Sequence, residues 1–383
     1  MVAAAVTALS AWYLYAAVSW RQAALFLVGA TAGVVLYHAA FGFTSSWRVF
    51  ISDRRGAGLR AQMLMLAISC AVFFPILAAG TLWGQPMRGS VAPVGVGVAF
   101  GAFIFGLGMQ LGGGCASGTL FSVGGGSARM LVTLFFFVIG SVVGTAHTPW
   151  WNAQPAFAAT SVVTVWGPWL GLAVCLALFG GITWMTRIAE HRRHGRLLDE
   201  TAPAHGPRWL TGPWPLVAGA IGLAVVNIAT LAIGGRPWGV TGAFALWGAK
   251  LFAALGIDVA TWAYWAAPAQ ATALRSSVLM DVTSVMDFGI ILGALLAAIL
   301  AGKFAPAWGV STRSLAAAIV GGLLLGYGAR IAYGCNIGAY FSGIASGSLH
   351  GWLWLVAAFA GNIVGTRLRP LFDLNVEKTQ TAC

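Results

Sequence analysis

The chain has 383 residues, of which 59% are hydrophobic and only 8% charged, with a formal net charge of +12. So few charges cannot clothe a water-soluble domain of this length. The positive balance does not call for nucleic acid either, because arginines gathered in short loops are what membrane orientation places on one side of a bilayer. An all-α polytopic membrane protein, with the lipid bilayer as its main surroundings, is the class that remains.

Apolar runs of bilayer-spanning length, about 20 residues, begin at once. Residues 3–19 and 22–42 form two runs parted by Arg21, with no basic segment ahead of the first, so a cleavable leader is not expected. WRVFISDRRGAGLR (Trp47–Arg60) gathers Arg48, Arg54, Arg55 and Arg60 and reads as a cytoplasmic loop. Runs at 62–83 and 93–111 lead into FGLGMQLGGGCASGTLFSVGGG (Phe105–Gly126), and a further run covers 129–149. The uncharged stretch Thr148–Pro168 carries tryptophans suited to the outer interface. After a run at 167–186 comes RIAEHRRHGRLLDETAPAHGPR (Arg187–Arg208), with five arginines and three histidines. This is the strongest cytoplasmic marker and divides a first membrane unit, residues 1–186, from a second, 209–383. No acidic or cysteine ligands frame His191, His194 and His205, so a solvated basic loop is expected there, with no metal and no cofactor.

The second unit offers runs near 214–233, 280–302, 313–333 and 350–368. Between the first two, an apolar stretch is interrupted by Lys250 and Asp258, and its GVTGAF (Gly239–Phe244) resembles GFTSSW (Gly42–Trp47). Residues 239–277 are therefore expected to be re-entrant or to lie along the interface. LGYGARIAYGCNIGAYFSGIAS (Leu325–Ser346) repeats the earlier cysteine stretch. A shift of 220 residues sets Gly106 on Gly326, Gly114 on Gly334, Cys115 on Cys335 and Ser122 on Ser342. One residue later in register, GSVVGT (Gly140–Thr145) overlies GNIVGT (Gly361–Thr366). The ten runs, six ahead of the linker and four after it, are read as five spans per unit, an odd number that reverses the second copy. The expectation is two inverted repeats, each with a broken half-helix carrying a central cysteine. The basic segments 47–60, 187–208, 303–313 and the tail with Arg367 and Arg369 then face inward, leaving Arg88, Arg236 and Arg275 outside.

Cys70 and Cys175 sit in apolar runs and read as small core hydrophobes, and Cys383 closes a polar tail. Cys115 and Cys335 alone follow glycines, Gly114 and Gly334. Backbone amides at membrane depth need partners or a cavity, so GGGC and YGC read as breaks, with short helices restarting in ASGTLFSV and NIGAYFSG. Such a restart presents free N–H groups to an anion. The plainer alternative is that the glycines only let helices pack closely. A thiol is a weak donor and a soft acceptor, better matched to a soft sulfur anion than to a hard oxyanion. Copper(I) would also accept thiolates, but Met109 is the only methionine beside them. Ser117, Asn336, Ser122 and Ser342 could donate to oxyanion oxygens. Arg330, aligned with Gln110, is an intramembrane charge that could attract a dianion, snorkel, or pair with Asp281 or Asp287. Those two acids could couple protons or simply mark a span start, while His38 and His350 read as structural.

GGGCASGTLFSVGGGS, PWGVTGAFALWGAK and YGCNIGAYFSGIASGSLHGWLW together resemble the YeeE/YedE family over nearly the whole chain. The resemblance implies a multi-pass permease of the bacterial inner membrane that imports thiosulfate. Cys115 and Cys335 would pass the anion inward by S–H···S contacts, without covalent chemistry or a cofactor. A cytoplasmic sulfur-carrier or sulfurtransferase protein would be the recipient. Family members often carry a third, outer cysteine in an F-C-F stretch, and here Phe41-Gly42-Phe43 stands in its place. A selenium-related role has also been attached to part of the family. From a different class, a membrane thiol–disulfide oxidoreductase could use the same two cysteines, although no CxxC is present. A pure scaffold would tolerate alanine at both.

Overall fold

The structure, a computed structural model, describes residues 2–198, 208–304, 306 and 309–377. His205, Cys383 and the middle of the basic linker lie outside the described residues. Among those described, nine helical stretches are long and apolar enough to cross a bilayer, one fewer than the sequence suggests. The difference is the first run, which forms α1 (Val2–Ala17), only 16 residues long.

The chain continues through α2 (Trp20–His38), α3 (Phe43–Asp53), α4 (Ala57–Ala79), α5 (Val96–Gly112), α6 (Ala116–Gly124), α7 (Ala128–Asn152) and α8 (Val162–His194). The second half holds α9 (Arg208–Thr211), α10 (Leu216–Gly234), α11 (Thr241–Ala254), α12 (Ala263–Ala266), α13 (Pro268–Arg275), α14 (Val282–Leu300), α15 (Thr312–Ile331), α16 (Ser342–Ala345) and α17 (Leu349–Leu368). The stretch 239–277 breaks into short helices, none of which reaches spanning length. Two antiparallel pairs of two-residue strands, Thr81–Leu82 with Gln85–Pro86 and Val94–Gly95 with Ala156–Phe157, tie the loops at one end.

Two expected loops are in fact helical. Arg48 and its neighbours belong to α3, with the turn coming only at Arg54, whose φ is 62°. Beyond residue 186, α8 runs on to His194. Its Glu190 is fully buried and accepts from Arg60 Nη1 at 2.6 Å and from the Gly56 and Leu198 amides. That anchorage ties the helical start of the basic segment to Gly56 and to Arg60 in the first turn of α4, while His191, Arg192, Arg193 and Arg196 remain exposed.

Helix packing crosses between the halves of the chain. α2 lies along α14, α5 along α17, α7 along α15, and α10 against α2 and α4. Lipid tails are as apolar as leucine, so association in a membrane depends on close backbone approach. A Cβ on Gly293 would overlap the Ala30 carbonyl, one on Gly361 the Phe103 carbonyl, and one on Gly140 the Leu323 carbonyl. These glycines are thus packing residues in all three helix pairs. The core between them is aromatic: Trp47, Phe105, Phe137, Phe244, Tyr340 and Trp354 are all buried.

Candidate substrate pathway at the two cysteines

α5 stops because Gly113 adopts φ 93°, a left-handed conformation closed by its own N–H to Met109 O. The backbone then turns so that Cys115 caps α6. Its Sγ accepts from the Gly118 amide at 3.4 Å, lies 3.5 Å from Ser117 Oγ, and its carbonyl takes the Thr119 hydroxyl at 2.8 Å. The sulfur therefore occupies the place of a capping oxygen at the head of a helix, where partial positive charge gathers. Cys115 is 2% exposed and Ser117 fully buried.

The second break is built differently. α15 ends at Ile331, and Tyr333 (φ 59°) and Gly334 (φ 147°) reverse the chain. Gly334 is required there, since a side chain at that φ would be strained and would meet the Ala339 amide at 2.8 Å. Trp354 Nε1 donates to its carbonyl at 3.2 Å. Cys335 is fully buried, and residues 336–341 wind as a π-helical turn, with Tyr340 N donating to Cys335 O. The sequence pattern predicts an ordinary α restart here, and the structure differs. The wider turn follows from Tyr340, whose ring stacks on Trp354 at 6.2 Å and whose hydroxyl reaches Gln62. Single π-turns recur at functional sites. Neither polar atom of the buried Asn336 side chain has a partner. The π turn packs against α6, bringing the two breaks together.

Gln110 and Arg330 do not join this cluster. Gln110 is fully buried and bonded to Asn362 Oδ1 at 2.6 Å, to Thr44 O, and to Arg48 Nη1 at 3.4 Å. Arg330 donates to Tyr264 OH at 2.9 Å and lies 4.9 Å over that ring. It pairs with neither acid. Asp281 instead caps α14, accepting from Ser284, with Arg236 at 4.0 Å. Ser342 is spent on the Trp238 carbonyl, and His350 on Ser348. Cys70 and Cys175 are buried thiols, as expected of core residues.

Gly42 lies where α2 gives way to α3. α2 begins where Gln22 Nε2 donates to Met280 O and ends where His38 O accepts the Trp214 amide, just past the basic linker. Gly42 follows that second end.

The sequence reading missed how the end of α5 is held. Arg129 donates to the Gly112 and Leu111 carbonyls at 2.7 and 2.5 Å, and Arg369 to the Gln110 carbonyl at 2.7 Å. These are orphan carbonyls of a helix C-terminus, met by guanidinium groups from α7 and from the end of the chain. Both arginines sit at span ends, where the sequence alone marks Arg369 as an orientation charge and gives Arg129 no role.

The buried thiols at the two helix breaks lie inside a bundle of membrane-length helices, and comparisons with known proteins place the chain among membrane transporters rather than enzymes. The chain belongs to the sulphur-transport family, whose profile matches residues 38–364. It is 32% identical over 171 residues to "Probable transporter YedE" of Escherichia coli K12, covering 44% of this chain and 42% of that protein. The alignment thus spans less than half of that relative's length. With "Thiosulfate transporter TsuA" of Spirochaeta thermophila, identity is 27% over 356 residues, 88% of this chain and 95% of the relative. The protein of the same name from Escherichia coli K12 is 26% identical, over 88% of this chain and 91% of its own.

Proposed function

We propose that the chain imports thiosulfate across a bacterial inner membrane, passing it by Cys115 and Cys335 through non-covalent S–H···S contacts. The observation that carries this reading is the pair of buried, free thiols, each set at a helix break, with Cys115 at the head of α6. Near-full-length similarity to proteins named as thiosulfate transporters supports the substrate. The terminal sulfur of thiosulfate is soft and negatively charged, so a thiol donor and the positive end of α6 both favour it. Thiol contacts are also weak, and a relay needs sites that release as readily as they bind.

Ser117 and Asn336 are the donors assigned to the anion's oxygens, the unpartnered Asn336 amide above all. Gly114 and Gly334 let backbone and anion approach. Arg330 attracts the dianion toward the pathway from beside Tyr264, and Gln110 supports the inner end of α5. Two inverted repeats, 1–186 and 209–383, joined by the segment 187–208, account for the reciprocal packing of α5 on α17 and α15 on α7. A cytoplasmic sulfur-carrier or sulfurtransferase protein takes the product at the inner face.

The test is uptake of radiolabelled thiosulfate into proteoliposomes. Cys115→Ser and Cys335→Ser are each expected to lose most uptake while keeping the wild-type unfolding midpoint, because serine retains a donor but not the soft sulfur. Normal uptake by both variants would overturn the relay.

A further inference from the structure

Asp287 stands apart from every other acid in the protein's described residues. It is fully buried on α14, and neither carboxyl oxygen has a hydrogen-bond partner. Buried polar groups are almost always satisfied, and an ionisable residue inside a membrane span marks a functional site by default.

Helix register fixes what it faces. Gly124, at the end of α6, packs on Ile291 and Ala294, and Gly126 beyond it meets Phe304, so α6 and α14 run in the same direction. Asp287 lies one turn before Ile291 on the same face, and therefore alongside the earlier part of α6, which begins at Cys115. The π turn that follows Cys335 packs on the same helix, α6. The other groups around α14 are engaged elsewhere. Asp281 is a like charge facing Arg236. On α2, Arg21 lies over Trp20, the Tyr37 ring meets Gly125, and His38 packs on Trp214. On α11, the Lys250 amine is tied to the Leu274 and Ser276 carbonyls. The tyrosines of α1, Tyr13 and Tyr15, are exposed.

We propose that Asp287 is the proton-carrying site of the transport cycle, loaded with a proton whenever the anion occupies the cysteines. The inference rests on the importer reading above. Two negative charges cannot share one dehydrated site without a cation between them. A dianion beside the thiols and an ionised Asp287 therefore exclude each other, and the anion enters only with a proton on the carboxyl. When the anion leaves to the cytoplasmic water, the proton follows. One proton moving with one dianion carries a net charge of −1, which halves the electrical work of import into a negative interior.

Proteoliposomes holding a pH-sensitive dye test this directly. On addition of thiosulfate outside, the wild-type protein should acidify the lumen in proportion to uptake, and an inward proton gradient should speed accumulation. Asp287→Asn, neutral and of the same shape, should lose acidification and gradient-driven accumulation. Exchange of internal for external thiosulfate, which needs no net proton movement, should fall less. Wild-type uptake with no acidification would overturn the proposal and leave the importer reading standing, whether or not the variant folds. No thiosulfate uptake by the wild type would overturn the reading itself. Equal loss of exchange and accumulation in Asp287→Asn would also refute the assignment, marking the residue as structural.

Discussion

Arg129 closes the end of α5 immediately before Cys115, and replacing it tests how the first break is held. Its Nη1 and Nη2 reach the Gly112 and Leu111 carbonyls, and its Nε reaches Ser314 Oγ at 2.8 Å. Methionine keeps an unbranched stem of similar length and removes all three donors. The Gly112 carbonyl would still have Thr133 Oγ1 at 3.1 Å, but Leu111 O would lose its guanidinium donor at membrane depth. Hydrogen bonds to charged groups contribute about 1.5–3 kcal/mol each. Because Arg129 is only half-buried, the lower figure is appropriate, and the two carbonyl bonds together give about 3 kcal/mol. Arg129→Lys keeps the charge but not the fork, so it should retain roughly half of this. Thermal unfolding in detergent, followed by tryptophan fluorescence, should rank wild type above Arg129→Lys above Arg129→Met. Thiosulfate uptake should fall in the same order as the Cys115 turn loosens. An unfolding midpoint for Arg129→Met equal to wild type would refute the claim that this arginine holds the break.

Glu377 accepts from Arg48 Nε at 2.6 Å and from Nη2 at 2.5 Å, docking the tail against α3. Burial on its own would raise this carboxyl, but the Arg48 guanidinium, helped by Arg369, holds it below the usual carboxylate range. A depressed value in the docked state means that docking is at full strength above the ordinary carboxylate range and is lost as pH falls through the depressed value. Limited proteolysis should therefore cut the tail at acid but not neutral pH, and Glu377→Gln should be cut at both. Protection of the variant at neutral pH would argue against the ion pair. At the α5–α17 contact, Gly361→Leu should cost at least the roughly 1–3 kcal/mol of an overpacked core, because its Cβ already overlaps the Phe103 carbonyl. It should be poorly recovered as a monodisperse protein after size-exclusion chromatography, and normal recovery would contradict the close helix approach.

The amino-acid sequence by itself determined the membrane class, the two glycine–cysteine breaks and their relation to each other. Hydropathy, repetition and glycine conformation are properties of short stretches and can be read along one dimension. It also singled out Asp281, Asp287 and Arg330, but not which partner each has. Only the tertiary structure decided that Asp281 has Arg236, that Arg330 has Tyr264 and that Asp287 has no one. The same holds for the π turn after Cys335, which aromatic stacking by Trp354 favours over an ordinary helix. Arg129 and Arg369 lie far apart in the chain yet converge on three consecutive carbonyls. No local pattern announces that convergence. A lipid-facing helix surface and a protein-facing one are equally apolar, so composition cannot say which helices meet. Close backbone contact across distant segments makes that choice, and with it the arrangement of polar groups around the two thiols.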